Sequence, residues 1–479
     1  MKNLVLLFML FTAIVSAQES YTVSGIIKEA SNGETAFGAS VYLKGTTIGA
    51  MSNEYGFFSI TAPKGRYTLV VSYIGFEDAT KIIILDKDQK INFEIKESST
   101  QLEEIVIKSK ESEITSIKNP QMSVSKIKVK TIKKMPVVLG EVDIIKSIQM
   151  LPGVTNGGEA SSGFNVRGGA ADQNLVLLDE AIIYNTSHLL GFFSVFNADA
   201  IKDVKLYKGG IPARFGGRVS SVLDVRQKDG NNKDFKLTGG LGIISSRLAA
   251  EGPLFNSKGS FLVAGRSSYA HLFMKMADEE NSANFYDLNL KTNYELNENN
   301  KLYLSGYFGR DGFDFEGGFE SNYGNLSGNL RWNHIFNDKL FSNLSLIYSK
   351  YDYDLTLDTF EFNWVSSIKN YNAKYDLKYY ASDSFKLDFG QSLYDYENEN
   401  PVVYNEALGI YQTGTVTGET AYAKDEEIKT FNNLEPRVAL SYQLNETSSV
   451  KGGYSRTAQY IHLLSNTSSV TPLISSSLA

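Results

Sequence analysis

Residues 151–185 read LPGVTNGGEASSGFNVRGGAADQNLVLLDEAIIYN, and residues 201–226 read IKDVKLYKGGIPARFGGRVSSVLDVR. Short β-prone runs at 174–178 and 204–208 alternate with the glycine pairs Gly168-Gly169, Gly209-Gly210 and Gly216-Gly217. Glycine pairs inside strand patterns mark places that need positive φ or a close backbone approach. The pattern describes a small, glycine-rich sheet of the kind that suits a domain wedged inside another structure. A soluble α+β domain with tight turns is the alternative reading.

The ordered set of motifs resembles the plug domain of TonB-dependent outer-membrane receptors. The resemblance rests on Leu151-Pro152-Gly153-Val154, Phe164-Asn165-Val166-Arg167-Gly168-Gly169 and Asp172-Gln173-Asn174. It continues through the apolar run ending at Leu178-Asp179 and through Gly209, Gly210, Arg214, Phe215, Gly216, Gly217 and Arg218. It implies a plug over residues 117–228, with an amphipathic helix in 139–151 that places Val142, Ile145, Ile148 and Leu151 at helical spacing. Arg167, Arg214, Arg218 and Arg226 are candidates for substrate contact. A barrel-wall carboxylate and one another's loops are the other candidate contacts; charges inside a barrel need opposite charges, so structural pairing is the expectation for most of them.

The flanking sequence agrees with export. Residues 1–17 carry Lys2, an apolar run and the small residues Ser16-Ala17, the pattern of a cleavable signal. No later run reaches the roughly 18–20 apolar residues of a membrane-spanning helix, so a membrane location requires β-structure. The chain has no cysteine, which excludes disulfides, thiolate metal sites and a lipid on an N-terminal cysteine. A net charge of −7 argues against a nucleic-acid partner. With 28 tyrosines, 28 phenylalanines, 40 glycines and 9 prolines, the composition suits aromatic-rich strands joined by turns.

Residues 21–96 read as about seven short strands with turn signals between them, a small β-sandwich. The run SGIIKEASNGETAFGASVYLKGTTIGAMSNEYGFFSITAPKGRYTLVVSYIGF resembles the carboxypeptidase-regulatory-like domain that precedes the plug in receptors of Bacteroidetes type. A spacer without ligand is the expectation for it, since a fold by itself supplies no function. Residues 97–116 form a charged linker interrupted by the β-prone segment Glu103, Glu104, Ile105, Val106, Ile107 and Lys108. In the resembled family a segment so placed is the TonB box, which binds its partner by adding a strand to the partner's sheet. An ordinary linker strand packed on the plug is the other reading.

From residue 234 a period of two dominates. Tyr286, Leu288, Leu290, Thr292, Tyr294 and Leu296 alternate with Asp287, Asn289, Lys291, Asn293 and Glu295. Leu326, Gly328, Leu330 and Trp332 alternate with Asn325, Ser327, Asn329, Arg331 and Asn333, and 371–379 and 385–393 repeat the scheme. Strands about ten residues long, apolar on one face, joined alternately by short turns and longer loops, match an outer-membrane barrel. The expected fold class is therefore mainly β: an N-terminal sandwich, a small α+β plug and part of a transmembrane antiparallel barrel over 234–479. About ten or eleven strands are expected, against the roughly 22 of a plugged receptor, which makes a C-terminally incomplete receptor the expectation.

Signs of catalysis are few. His188, His271, His334 and His462 stand apart, without HExxH or ligand spacing. No nucleophile elbow, phosphate loop or dinucleotide motif occurs. No enzyme activity, cofactor or metal is expected, although a calcium ion in an acidic loop is left open. The implied function is energised uptake of a scarce nutrient of siderophore, glycan or peptide-like kind. The implied partners are the TonB energy-coupling complex and outer-membrane lipid, with a surface lipoprotein left open. A periplasmic or surface binding scaffold without transport is the rival.

Overall fold

In a computed structural model of the chain, the described residues are 19–98, 123–134, 141–157, 163–212, 214–276, 281–316, 318–358, 362–382, 385–405 and shorter pieces up to 475. The candidate box, Glu103 to Lys108, lies outside them.

The head domain is built from β1 (Ser20–Glu29), β2 (Ser40–Leu43), β3 (Gly49–Met51), β4 (Phe57–Pro63), β5 (Gly65–Ser72), β6 (Ala79–Leu85), β7 (Gln89–Lys90) and β8 (Phe93–Ile95). One sheet sets β4, β7 and β8 against β1; the other runs β3-β2-β5-β6. Alternate residues such as Val41 and Leu43, Leu69 and Val71, and Ile83 and Leu85 turn into a shared core with Val23, Ile27 and Phe58, as the period of a half-buried strand requires. The chain returns along β1 in two short parallel pieces, β7 and β8.

The middle domain holds β9 (Val124–Lys128), β10 (Val154–Asn156), β11 (Phe164–Val166), β12 (Asn174–Leu178), β13 (Ala181–Ile182), β14 (Ser187–His188), β15 (Phe193–Ser194), β16 (Ile201–Tyr207) and β17 (Ser221–Gln227). Its sheet runs β13-β12-β17-β16-β9, with β12 and β17 parallel. Every residue of β12 is buried. Val176 and Leu178 join one apolar cluster with Ile144 and Ile148, whereas Leu175 and Leu177 join another with Tyr207, Phe215 and Val222. A sheet covered on both faces has continuous apolar strands, which is why this segment shows no alternation. The helix is shorter than the apolar spacing suggests, spanning Ile144–Gln149. Asp143 caps it by accepting from the Lys146 amide at 2.9 Å, and a cap residue holds non-helical backbone. Val142 and Leu151 still pack on the core from outside the helix.

The wall is one antiparallel path of ten strands: β18 (Lys236–Leu241), β19 (Ser245–Leu254), β20 (Gly259–Ser268), β21 (Ser282–Asn297), β22 (Asn300–Phe315), β23 (Phe319–Asn337), β24 (Leu340–Leu357), β25 (Phe362–Tyr380), β26 (Lys386–Asn405) and β27 (Ile410–Gln412). From β21 to β26 the strands are 16–20 residues long, not about ten. The two-fold alternation carries on past the apolar band, so the ladders extend beyond the length that a bilayer needs. The expected longer loops are correspondingly reduced: β22 and β23 are joined across 316–318. Between β20 and β21 a helix, Ala270–Met276, intervenes.

The wall inverts the polarity of a soluble sheet. Asn289, Lys291, Asn293, Asn329, Arg331 and Asn333 are buried, while Leu288, Leu290, Leu304, Leu326, Leu330, Leu346 and Leu393 are exposed. Burying one leucine-sized side chain is worth about 1.5–3 kcal/mol, so these half-exposed rows facing water would forgo stabilisation on the order of ten kcal/mol. Hydrocarbon outside and a polar filling inside account for both faces together.

Candidate functional site: the junction of head, middle domain and wall

The head reaches the wall through the loop between β3 and β4. Asn53 braces it, its Oδ1 accepting from the amides of Tyr55 at 2.9 Å and Phe57 at 3.0 Å, so Glu54 and Tyr55 project from the domain. Tyr55 stacks on Phe341 at 5.3 Å between ring centroids, and Phe57 packs on Phe341 and Tyr380. Glu54 pairs with Arg214 of the middle domain at 2.5 Å and with Lys378 of β25 at 3.5 Å. Further head contacts fall on the wall's short turns: Lys28 with Glu295, Ser24 with Asp338, and Lys90 with Asn299.

The middle domain meets the same place with a two-residue turn between β12 and β13. Asp179 and Glu180 have φ of 46° and 76°, the two positive values that a tight hairpin turn of this hand requires and that asparagine-glycine usually supplies. Contacts from the wall hold this costly backbone. The Asp179 carbonyl accepts from Asn329 at 2.6 Å and Arg331 at 3.2 Å, and its carboxylate faces Lys291 at 3.1 Å. Lys291 also meets Asp229 at 3.0 Å and donates to the Gln227 carbonyl at 2.9 Å. Glu180 accepts from the Tyr55 hydroxyl at 3.0 Å and lies 3.6 Å from Arg331. One acidic turn thereby touches all three parts of the molecule.

Burial pushes the Glu54 carboxyl up, and Arg214, Lys378, Lys205 and Arg226 around it more than reverse this, holding it well below the carboxylate range. Glu180 is likewise depressed, with Arg331, Lys374 and Arg226 overcoming its burial. Lys205 shows the opposite balance. Burial and the neighbouring Arg226 lower it to about 7 against the pull of Asp203, Asp224 and Glu54, and its ammonium lies 3.4 Å from the centre of the Phe37 ring of the head. A cavity of about 210 Å³ opens among Glu54, Glu180, Arg214, Asp224, Arg226 and Lys374.

The residues expected from sequence separate into two groups. Pro152, Gly153, Arg167 and Gly209 gather around Ser123: Lys208 donates to the Pro152 carbonyl, Arg167 donates to the Gly153 carbonyl and to Ser123 Oγ at 3.0 Å, and the Arg167 guanidinium lies against Gly209. Gly168, Gly210 and Gly217 have positive φ. A Cβ on Gly169 would stand 2.3 Å from Ser220 Oγ. Asp179 and Arg214 belong instead to the junction, with Gly216 lining its cavity. Arg218 donates only to the neighbouring Gly217 carbonyl among the described hydrogen bonds. Among the described residues, two of the four arginines pair with carboxylates, and neither of these partners lies on the wall. Arg214 pairs with a carboxylate of the head, not of the wall, and Arg226 pairs with Asp224 of its own strand at 3.6 Å, because the head tip occupies the space beside them.

Glu54, Tyr55, Glu180, Lys291 and Arg331 carry the junction and were not singled out from sequence. One signal existed for two of them: Lys291 and Arg331 are cations among asparagines on inward faces, and a buried cation requires an internal partner. Among the described residues no cluster of histidine and carboxylate side chains is suited to a metal ion.

Two family models match the chain: the CarboxypepD_reg-like domain over residues 23–107, reaching into the segment read as a linker, and the TonB-dependent Receptor Plug Domain over residues 116–221. The TonB-dependent receptor SusC of Bacteroides thetaiotaomicron is 27% identical over 243 residues, 48% of this chain and 23% of that relative. The chain thus spans about a quarter of the relative's length. In fold the chain is similar to the alcaligin outer membrane receptor FauA from Bordetella pertussis, with a TM-score of 0.53 at 14% identity over 72% of this chain and 64% of that one.

Proposed function

We propose that the chain is an outer-membrane receptor of the TonB-dependent, Bacteroidetes type, for energised uptake of a scarce nutrient of siderophore, glycan or peptide-like kind, a reading supported by its two matched domains and its likeness to SusC. The observation that carries this reading is the inverted wall, apolar toward lipid and polar toward a packed plug. The head contacts the wall at its short turns, and short turns of such barrels face the periplasm, so the head sits on the periplasmic side. There it holds plug and wall together through Glu54 and Tyr55.

Glu103 to Lys108 is the coupling segment in this reading: TonB adds it to its own sheet and pulls, and the plug yields toward the periplasm. Since the chain has no cysteine, a single Val106→Cys in the receptor provides a clean test. It is expected to cross-link to TonB carrying its own cysteine in the partner strand, and deletion of residues 104–108 is expected to remove growth on the limiting nutrient while leaving surface binding intact. Unchanged growth after the deletion overturns the assignment of the box.

A further inference from the structure

A second contact between plug and wall lies toward the other end of the strands. His188 of β14 is buried between two wall carboxylates, with Nδ1 2.7 Å from Asp311 and Nε2 3.2 Å from Asp287. Arg266 of β20 forms a two-point contact with Asp287 and donates to the Ser194 carbonyl at 2.7 Å. Phe285 stacks flat on the imidazole at 4.4 Å, and the Tyr307 hydroxyl lies 3.3 Å from Nε2. The two carboxylates that touch the imidazole share one permanent cation, Arg266, on which Glu141 and Asp143 also draw, so Asp311 has a cation in contact only when the imidazole is protonated. An uncompensated buried charge is costly, which favours the imidazolium.

The backbone that follows is strained. Leu189 and Leu190 have φ of 48° and 55°, a region that side chains of their kind avoid. Wall groups hold both: the Leu189 amide donates to Asp311 at 2.8 Å and the Leu190 amide to the Tyr323 hydroxyl at 3.1 Å. Such strain persists only where the surroundings over-determine it. Asp311 does both jobs, taking the imidazole with one oxygen and the strained amide with the other.

We propose that the turn of His188, Leu189, Leu190 and Gly191 is a strained, proton-dependent latch that fastens the plug to the wall. Loss of the imidazole proton leaves Asp311 without its cation, and the turn relaxes away from the wall. The balance of causes agrees: burial lowers the imidazole, but Asp311 and Asp287 outweigh it and hold His188 above its ordinary value. The latch is closed below the usual histidine range and opens as pH rises through the elevated value.

The latch rests on the reading that the plug leaves the wall. Its test uses neither substrate nor energy, so the fastening and the transport reading fail independently. A single Ser187→Cys in the receptor in outer-membrane vesicles is labelled with a maleimide at pH ~5.5 to ~9, bracketing the histidine range. Each rate is divided by that of the same protein unfolded at the same pH, which removes the thiol's own ionisation. Labelling is expected to rise about tenfold across that range, to be fast at every pH in Asp311→Asn and His188→Gln, and to stay slow in His188→Lys, whose charge does not titrate there. A flat wild-type profile, or His188→Lys behaving as His188→Gln does, overturns the latch. Should His188→Lys lose the heat-modifiable gel mobility of an assembled wall, the wild-type profile alone decides.

Discussion

The two contacts between plug and wall solve the same problem with opposite charges. At the short-turn end, the carboxylates of Glu54 and Glu180 sit among Arg214, Lys378, Arg226 and Arg331. At the other, one imidazole sits between Asp287 and Asp311. The first sets several cations around two acids, involves the head and includes Lys205, lowered to about 7. The second involves plug and wall alone and hangs on a single proton. The difference separates a clasp held by several cations from one held by a single imidazole: if Lys205 loses its proton, Arg214, Lys378 and Arg226 still face Glu54, whereas among the described residues Asp311 has no second cation in contact when His188 loses its own.

The largest effect should come from reversing the charge of the clasp. Glu54→Lys puts an ammonium beside Arg214 and Lys378, and breaking a buried pair from one side costs about 3–5 kcal/mol. The head is expected to undock while the wall remains assembled. Limited proteolysis between residues 98 and 123, compared with heat-modifiable mobility, reads the two separately. A head as protected in Glu54→Lys as in the parent chain would show that the clasp is incidental.

A smaller effect, in opposite directions, is expected from pH alone. Glu54 and Glu180 have folded values below their unfolded one of about 4.3, so their stabilisation is present above that value and lost only as pH falls through the depressed ones. His188 is raised, so its contribution is complete below about 6.5 and lost as pH rises through the folded value. Head protection should therefore fail in strong acid, and plug labelling should rise in mild alkali. Release of both at one pH would collapse the distinction.

How legible these features were depends on the distance over which the chain must be read. Alternation in β21 and β23 and the glycine-spaced runs of the plug are local patterns, and the mainly β fold class was legible from them. The junctions are not local: Glu54 and Arg214 are 160 residues apart, Tyr55 and Glu180 are 125, and His188 and Asp311 are 123. His188 looked isolated in sequence for that reason. The helix at Ile144–Gln149 was overextended because apolar spacing continues past its cap, while packing, not propensity, sets where it ends.

The smallest effect tests whether a sequence glycine reports backbone or space. Gly217 has a φ of 80° and, among the described residues, no atom within 4 Å of where a Cβ would stand, so there only its conformation resists substitution. Gly169 lacks the positive φ but is crowded by Ser220. Gly217→Val is expected to cost about 1–2 kcal/mol, the penalty of left-handed backbone, whereas Gly217→Asn should recover much of it, since asparagine tolerates that region. At Gly169 the order should follow size instead: Gly169→Ala is relieved by Ser220→Gly, and asparagine brings no benefit. Because Gly217 lies three residues from Arg214, the readout is head protection at fixed pH, where Gly217→Val should loosen the clasp slightly and far less than Glu54→Lys. Equal losses for valine and asparagine at Gly217 would mean that space, not backbone, selects glycine there, and the loop would then be packed against something that the described residues do not include.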